Sequence, residues 1–257
     1  METQFANSPD NVRIAYDRSG TGPAIVLIHG GGSSRQDWHE EGYVRRVQED
    51  FTVITLDLRG HGESDMPTDP STYTIDKMAQ DILSVADRCS VEQFAVWGFS
   101  YGGKIGRYLA AHSERVSNIV LMGTPMGPPV TDQIRNEIEI FYSHWPPILK
   151  AQRDGVLDYD TLSHDDRQFL QNFDVPVMMA WGRAMLDWPS IQPNDFLCPV
   201  LWLVGSEDDA AMASVSEYGN ALDGTKVQLY IVDGLTHEQV FEEIDEVFNS
   251  MLRFTQL

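Results

Sequence analysis

Residues 98–103, with the sequence GFSYGG, are the segment with the clearest potential for chemistry. They follow an apolar run that is typical of a strand and precede a small-residue segment that is typical of a helix. A sharp turn from strand into helix exposes a serine hydroxyl, and its flanking glycines are needed because no side chain fits there. The pattern therefore predicts Ser100 as a nucleophile, beside a helix N-terminus that favours developing negative charge.

A second glycine-rich segment, HGGG at 29–32, ends another apolar run. Because glycine lets backbone N–H groups approach a substrate oxygen closely, this segment is a candidate oxyanion hole. We predict the N–H groups of Gly31 and Tyr101 as the donors. Gly32 is a substitute for Gly31 and a further substrate-binding residue. We expect His29 to hold the loop by hydrogen bonds rather than to transfer protons.

A serine nucleophile also needs a base and an acid that orients the base. His237 is the single histidine after the last two apolar runs, and it lies just past the second of them. Asp208 lies just past the first of the two runs, with Glu207 and Asp209 as rivals for the acid. In sheets of this type the active site lies at the carboxyl ends of the strands. We therefore predict a Ser100, His237 and Asp208 triad.

The elements that must position these side chains are continuous apolar runs alternating with helical patterns. Such runs are typical of parallel strands covered on both faces, and they span 24–30, 51–58, 94–100, 118–123, 200–205 and 227–234. Residues 11–17 alternate like a half-buried strand, and a turn before them predicts an N-terminal hairpin. The helical patterns span 74–89, 102–112 and 236–253. This alternation predicts an α/β fold with a doubly wound, mostly parallel sheet.

Residues 126–198 break the alternation with amphipathic helical pieces and many aromatic residues. The interval is too long for an ordinary loop. We interpret it as a helical cap inserted before the acid-bearing strand, into a core formed by 1–125 and 199–257. The side chains predicted to line an apolar pocket over Ser100 are Trp145, Trp181 and Trp188, with Phe141, Tyr142 and Met185 as further candidates.

Five segments in this order resemble the α/β-hydrolase superfamily, more narrowly its cofactor-free esterase, enol-lactonase and haloperoxidase-like members. They are HGGG at 29–32, DLRGHGES at 57–64, GFSYGG at 98–103, GSEDD at 205–209 and GLTH at 234–237. The resemblance covers roughly residues 11–254, with the cap matching only in position. It implies the α/β-hydrolase fold and the following roles: Ser100 nucleophile, Asp208 acid, His237 base, Gly31 and Tyr101 oxyanion donors, and His61 structural.

Related dehalogenases and epoxide hydrolases carry aspartate where this chain has Ser100, so those chemistries are disfavoured. The resemblance implies that no metal or organic cofactor is required. The predicted reaction is cleavage of a small ester or lactone through an acyl-enzyme. Alternatives on the same triad are a C–C bond hydrolase, a perhydrolase, or a slow-turnover ligand-sensing receptor.

The formal net charge is −21, from 39 acidic and 18 basic side chains, and it limits the partners that the protein can bind. Such a surface repels nucleic-acid phosphates and anionic lipid, so we predict neither partner. It also favours a neutral substrate, although Arg135 or Arg183 could reverse this inside the pocket. Cys89 and Cys198 have no metal-ligand spacing and are predicted to be buried free thiols. Free thiols fit a reducing cytoplasm, and the N-terminus shows no signal-peptide pattern, so we expect a cytoplasmic location. We also expect a monomer or homodimer.

Overall fold

One eight-stranded sheet runs through the part of the chain that the computed structural model describes, which is residues 2–256 without the side chain of residue 133. The strands are β1 (Gln4–Asn7), β2 (Arg13–Ser19), β3 (Ala24–Ile28), β4 (Thr52–Leu56), β5 (Phe94–Phe99), β6 (Val116–Met122), β7 (Val200–Gly205) and β8 (Val227–Val232). Their order across the sheet is β1-β2-β4-β3-β5-β6-β7-β8. The β1–β2 and β2–β4 pairs are antiparallel, and all the other pairs are parallel. The predicted N-terminal hairpin and mostly parallel sheet are confirmed.

The apolar runs form central strands because both faces of the sheet are covered. Along β3, Val26 and Ile28 point into one hydrophobic cluster, whereas Ile25 and Leu27 point into a second cluster on the opposite face. Successive side chains of a strand alternate between faces, so a strand buried on both sides must be apolar at every position.

Helices cover the two faces and follow the strands in turn. They are α1 (Gln36–Glu40), α2 (Tyr43–Val47), α3 (Ile75–Arg88), α4 (Ser100–His112), α5 (Asp132–Arg153), α6 (His164–Asn172), α7 (Val175–Met185), α8 (Asp209–Tyr218), α9 (Gln239–Glu242) and α10 (Ile244–Thr255). The helix predicted at 102–112 begins two residues earlier, at Ser100 itself. The single helix predicted over 236–253 is wrong, because the backbone leaves helical geometry at Glu243 (ψ 61°) and separates α9 from α10.

Three helices, α5, α6 and α7, lie between β6 and β7 and are called the inserted helices below. Side-chain caps fix where they start: Thr131 Oγ1 accepts the N–H of Ile134, and Asp174 Oδ1 accepts the N–H of Val177. Such caps satisfy N–H groups that have no partner within the helix. The division into a core and a separate cap at 126–198 stays a prediction.

Two further expectations concern the helices and the thiols. Over residues 2–256, no helix combines the length and the apolar character that crossing a bilayer requires. Cys89 and Cys198 are both buried and free, as predicted.

Candidate active site

Ser100 lies at the junction of β5 and α4, in a backbone conformation that is rare for a residue with a side chain. Its φ is +51°. Such strain persists only where the surroundings enforce it. Here the turn packs so closely that a Cβ on Gly102 would lie 2.4 Å from the carbonyl oxygen of His29. A Cβ on Gly98 would similarly lie 2.8 Å from the Cα of Gly103. The glycines thus permit the sharp turn that presents the Ser100 hydroxyl.

The His237 imidazole lies beside this hydroxyl. Its Nε2 is 3.0 Å from Ser100 Oγ, within hydrogen-bond distance. The ring packs against Phe99, with centroids 5.2 Å apart. His237 follows β8, so the sheet brings together two side chains that are 137 positions apart in the chain.

The Asp208 carboxylate completes a chain of hydrogen bonds. Its Oδ2 is 2.7 Å from His237 Nδ1, and its Oδ1 accepts the N–H of Ala211 at 3.0 Å, which caps α8. Burial alone would raise the pKa of Asp208, but these hydrogen bonds outweigh burial and hold the pKa below its ordinary value. The rivals Glu207 and Asp209 are exposed. The structure therefore joins His237 to Asp208.

The predicted oxyanion donors lie next to each other beside Ser100. A Cβ on Gly31 would be 3.5 Å from Tyr101 Cβ, and both residues line the same cavity as Ser100. Tyr101 is the second residue of α4, where an N–H has no partner within the helix. The N–H of Gly32 donates instead to His61 Nε2 at 3.2 Å. This contact makes Gly31 a better donor than its predicted substitute, Gly32.

His29 and His61 are held as neutral rings by backbone groups. His29 Nδ1 lies 2.7 Å from the Gly30 carbonyl oxygen, and its Nε2 accepts the N–H of Leu58 at 3.0 Å. Burial lowers the pKa of His29 to about 4 and the pKa of His61 to about 3. Both are therefore uncharged at neutral pH, in agreement with their predicted structural roles.

A cavity of about 440 Å³ opens over Ser100 beneath the inserted helices. Its lining residues are Gly31, Gly32, Ser100, Tyr101, Lys104, Ile134, Glu137, Ile138, Phe141, Tyr142, Phe173, Met178, Trp181, Gly182 and Met185. Of the three predicted substrate-binding tryptophans, Trp181 is in this lining. Gly32, Phe141, Tyr142 and Met185 are also in it, as expected.

The other two tryptophans require a correction, because they lie outside this lining. Trp145 is buried between the inserted helices, stacked on Phe169 with centroids 5.3 Å apart. Trp188 stacks on Tyr101, with centroids 5.5 Å apart, and its indole N–H donates to the Tyr73 carbonyl oxygen at 3.0 Å. Both side chains hold the inserted helices in place rather than contacting the cavity.

The cations expected near the pocket are also placed differently. Arg183 lines a separate outer groove with Asp69 and Asp187, and Arg135 is exposed. The cavity lining contains Lys104 instead. The sequence carried a signal for it, because residues four apart on a helix share a face and Lys104 is four residues after Ser100.

A second, smaller opening of about 250 Å³ also reaches Ser100 and is called the acidic mouth below. His237 lines it, together with the carboxylates of Asp37, Glu238 and Glu242. Ser100 therefore borders both a largely apolar cavity that includes Lys104 and an acidic mouth. In this arrangement His237 can take a proton from Ser100, and Asp208 can stabilise the charge that the ring gains.

Comparisons with known proteins agree with this architecture. A family model described as the alpha/beta hydrolase fold matches residues 23–151. The chain is 32% identical over 275 residues to a putative non-heme chloroperoxidase of Synechocystis sp., with 95% of each chain covered. It is 24% identical to a putative 2-succinyl-6-hydroxy-2,4-cyclohexadiene-1-carboxylate synthase of Bacillus subtilis, over 89% of this chain and 90% of that one.

A solved structure of similar fold is a thermophilic esterase from Thermogutta terrifontis. It has a TM-score of 0.76 and 20% sequence identity, over 100% of this chain and 98% of that chain. At this identity the likeness concerns the fold. The family-model match, together with the relative at 32% identity, establishes more than the fold: the chain belongs to the α/β-hydrolase family.

Proposed function

We propose that this protein is a serine hydrolase that cleaves a small ester or lactone through an acyl-enzyme. The observation that carries the proposal is the position of the His237 ring, with one nitrogen 3.0 Å from Ser100 Oγ and the other 2.7 Å from Asp208. A nucleophile, a base and an orienting acid within hydrogen-bond reach are the requirements for acyl transfer by serine.

The reaction begins when Ser100 Oγ attacks the substrate carbonyl while His237 Nε2 takes the hydroxyl proton. Asp208 fixes the ring tautomer that leaves Nε2 free to accept and stabilises the resulting imidazolium. The protonated ring then gives its proton to the leaving alkoxide, which departs as an alcohol from an ester and stays attached to the acyl group as a hydroxyl when the substrate is a lactone. Water attacks the acyl-enzyme in the second half, with His237 again as base, and the acid product and Ser100 are released.

The N–H groups of Gly31 and Tyr101 hold the oxyanion that forms in both halves. Each such donor contributes about 2.7–4 kcal/mol to transition-state stabilisation in comparable sites. The apolar part of the cavity wall, including Phe141, Trp181 and Met185, fits a small acyl group. Its volume, about 440 Å³, is within the range of sites for small organic molecules.

The proposal is tested by Ser100→Ala, with Ser216→Ala as the matched control because Ser216 is exposed on α8. We expect Ser100→Ala to lower kcat for p-nitrophenyl acetate by about 10⁶-fold and to abolish labelling by a fluorophosphonate. Ser216→Ala should retain both. Undiminished hydrolysis or labelling in Ser100→Ala would refute the assignment.

The relative named as a putative non-heme chloroperoxidase supports perhydrolysis as a second candidate reaction. In that reaction hydrogen peroxide replaces water as the attacker of the acyl-enzyme, and a peracid is released in place of the acid. Measuring peracid against acid formed from one ester at graded peroxide concentrations distinguishes the two reactions.

A further inference from the structure

Lys104 lies in the wall of the cavity, one helical turn beyond the proposed nucleophile. Lys104 and Ser100 are both on α4 and both line the cavity. Four residues of an α-helix rise about 6 Å. The side chain that carries the ammonium group therefore leaves the backbone about one helical turn from Ser100. The cavity wall therefore includes a basic side chain one helical turn from the point of attack.

Within the part of the chain that the structure describes, no carboxylate lies within ion-pair distance of the Lys104 ammonium. Among the described residues, its one polar contact is with the Sδ of Met185, at 3.9 Å. The next cation on the helix, Arg107, is fully buried and donates to the Pro125 carbonyl oxygen. Neither Lys104 nor Arg107 takes part in an ion pair within residues 2–256. In a chain with 39 acidic side chains, two cations one turn apart on a helix that form no ion pair with any described residue are unexpected.

The environment of Lys104 makes this lack of a partner costly. Burial, with the nearby charge of Arg107, lowers the pKa of the Lys104 ammonium from 10.5 to about 8. At pH 7 the group is still about nine-tenths protonated. A charge that has lost part of its hydration binds an anion more strongly than an exposed one does, because the pair forms at lower effective dielectric.

The charges around Ser100 also define an orientation for the substrate. The acidic mouth beside Ser100 carries Asp37, Glu238 and Glu242, which would repel an anionic group. Within the cavity, Glu137 of α5 is the carboxylate in the lining. Repulsion at this mouth favours an anionic end of a substrate inside the cavity, where Lys104 is the cation of the lining, and a leaving group directed to the mouth.

We propose that Lys104 binds a carboxylate on the acyl portion of the substrate, so that the enzyme prefers esters or lactones of dicarboxylic acids. This inference rests on the proposed function and departs from the neutral substrate that the net charge suggested. An acyl chain that spans about one helical turn, such as adipoyl, fits the separation of Ser100 and Lys104.

The kinetic test compares mono-p-nitrophenyl adipate with p-nitrophenyl hexanoate, which has the same chain length but ends in a methyl group. We expect kcat/KM to be higher for the adipate monoester. The ratio of the two kcat/KM values should fall by about tenfold or more in Lys104→Met, as expected for loss of a charged hydrogen bond. Lys104→Arg should restore the ratio to within about threefold of the wild-type value because it keeps the charge.

The matched control is Lys150→Met, which removes an exposed ammonium from α5 outside the cavity lining. It lowers the net charge by the same amount and should leave the ratio at its wild-type value. An adipate monoester that is no better a substrate than the hexanoate, or a ratio that Lys104→Met leaves unchanged, would overturn the inference.

A binding measurement separates this inference from the proposed function. In the Ser100→Ala background, calorimetric titration should give monomethyl adipate a Kd about tenfold or more below that of methyl hexanoate, and Lys104→Met should remove the difference. Equal affinities would overturn the carboxylate site. If the affinities differ clearly but the wild-type enzyme hydrolyses none of these esters, the carboxylate site is upheld and only the serine hydrolase proposal is contradicted.

Discussion

Asp208 connects His237 to the framework of the protein through its two carboxylate oxygens. One oxygen is 2.7 Å from His237 Nδ1, and the other caps α8 through the N–H of Ala211. The residue that orients the ring is thus fixed by the start of a helix. Local side-chain fluctuations are restrained at both ends of this carboxylate, which keeps the imidazole aimed at Ser100.

This double attachment makes Asp208→Asn a clean test of the proposed acid. Asparagine caps helices as well as aspartate does, so the free energy of unfolding should change by about 1 kcal/mol or less. The amide, however, favours the wrong tautomer of His237, and we expect kcat for p-nitrophenyl acetate to fall by about 10⁴-fold. Asp209→Asn, at an exposed neighbouring position, is the control. Equal kcat values for the two variants would contradict the role of Asp208.

The two tryptophans Trp181 and Trp145 should respond to truncation in different ways. Trp181 lines the cavity, so Trp181→Ala should shift the preferred acyl length of p-nitrophenyl esters towards longer chains. Trp145 is buried away from the cavity, and Trp145→Ala should lower the free energy of unfolding by about 3–5 kcal/mol. The Trp145→Ala variant should keep the acyl-length preference of the wild type. Kinetics on a chain-length series and urea unfolding measure the two effects.

Two helical glycines give a matched pair for stability. A Cβ on Gly102 would meet the His29 carbonyl oxygen at 2.4 Å, whereas a Cβ on Gly182 would meet nothing within 4 Å. Gly102→Ala should therefore destabilise the protein by about 3 kcal/mol or more, as overpacking against a fixed backbone does. Gly182→Ala should raise the free energy of unfolding by about 1 kcal/mol through helix propensity. Urea unfolding that ranks the two variants in the opposite order would contradict the close packing of the turn.

The strands and the turn at Ser100 were predictable because each depends on local sequence. A continuous apolar run such as β3 indicates a strand that is buried on both faces. The GFSYGG pattern indicates a turn that few sequences can make. The proximity of Ser100, His237 and the acid followed from the rule that the active site lies at the carboxyl ends of the strands, and the resemblance to the α/β-hydrolase superfamily supported Asp208 as that acid. Most of the predicted site therefore depends on these local patterns and on where the strands end.

The cavity lining was less predictable because it depends on which neighbour each helix faces. An aromatic residue on the apolar side of a helix is expected to be buried, but sequence alone does not identify its partner. Trp145 stacks on Phe169 and Trp188 on Tyr101, so both are buried without lining the cavity. Lys104 was missed because its segment was interpreted only as a small-residue helix that follows the turn at Ser100.

The buried histidines His29 and His61 make stability depend on pH. The folded-state pKa of His29 is about 4 and that of His61 about 3, whereas an unfolded histidine has a pKa of about 6.5. Below pH 6.5 the unfolded state binds protons that the folded state excludes, so stability falls as the pH falls towards 4. Each histidine contributes a slope of up to about 1.4 kcal/mol per pH unit in that window.

Urea unfolding between pH 7 and pH 5, above the range where most carboxylates titrate, measures this slope. His29→Gln should reduce it by the contribution of one group, even if the variant is less stable overall. His164→Gln is the control, because His164 is exposed to water on α6. A slope that His29→Gln leaves unchanged would show that His29 accepts a proton in the folded state.

Lys104 should give the substrate preference its own pH dependence. The pKa of the Lys104 ammonium is about 8. The titratable groups around it are Arg107 and Tyr101 on the same helix and Glu137 and Tyr142 on α5. As the pH rises through 8, Lys104 loses its proton and with it the attraction for a carboxylate. Since kcat/KM follows ionisations of the free enzyme, the ratio of kcat/KM for mono-p-nitrophenyl adipate to that for p-nitrophenyl hexanoate should decline above pH 8.

Taking the ratio removes ionisations that act on both esters alike, including those of the catalytic residues. In Lys104→Arg the guanidinium stays charged throughout this range, so the ratio should be constant from pH 7 to pH 9.5. A decline of the same size in Lys104→Arg would assign the ionisation to another group. A constant ratio in the wild type would mean that the carboxylate of the adipate monoester is not held by the Lys104 ammonium.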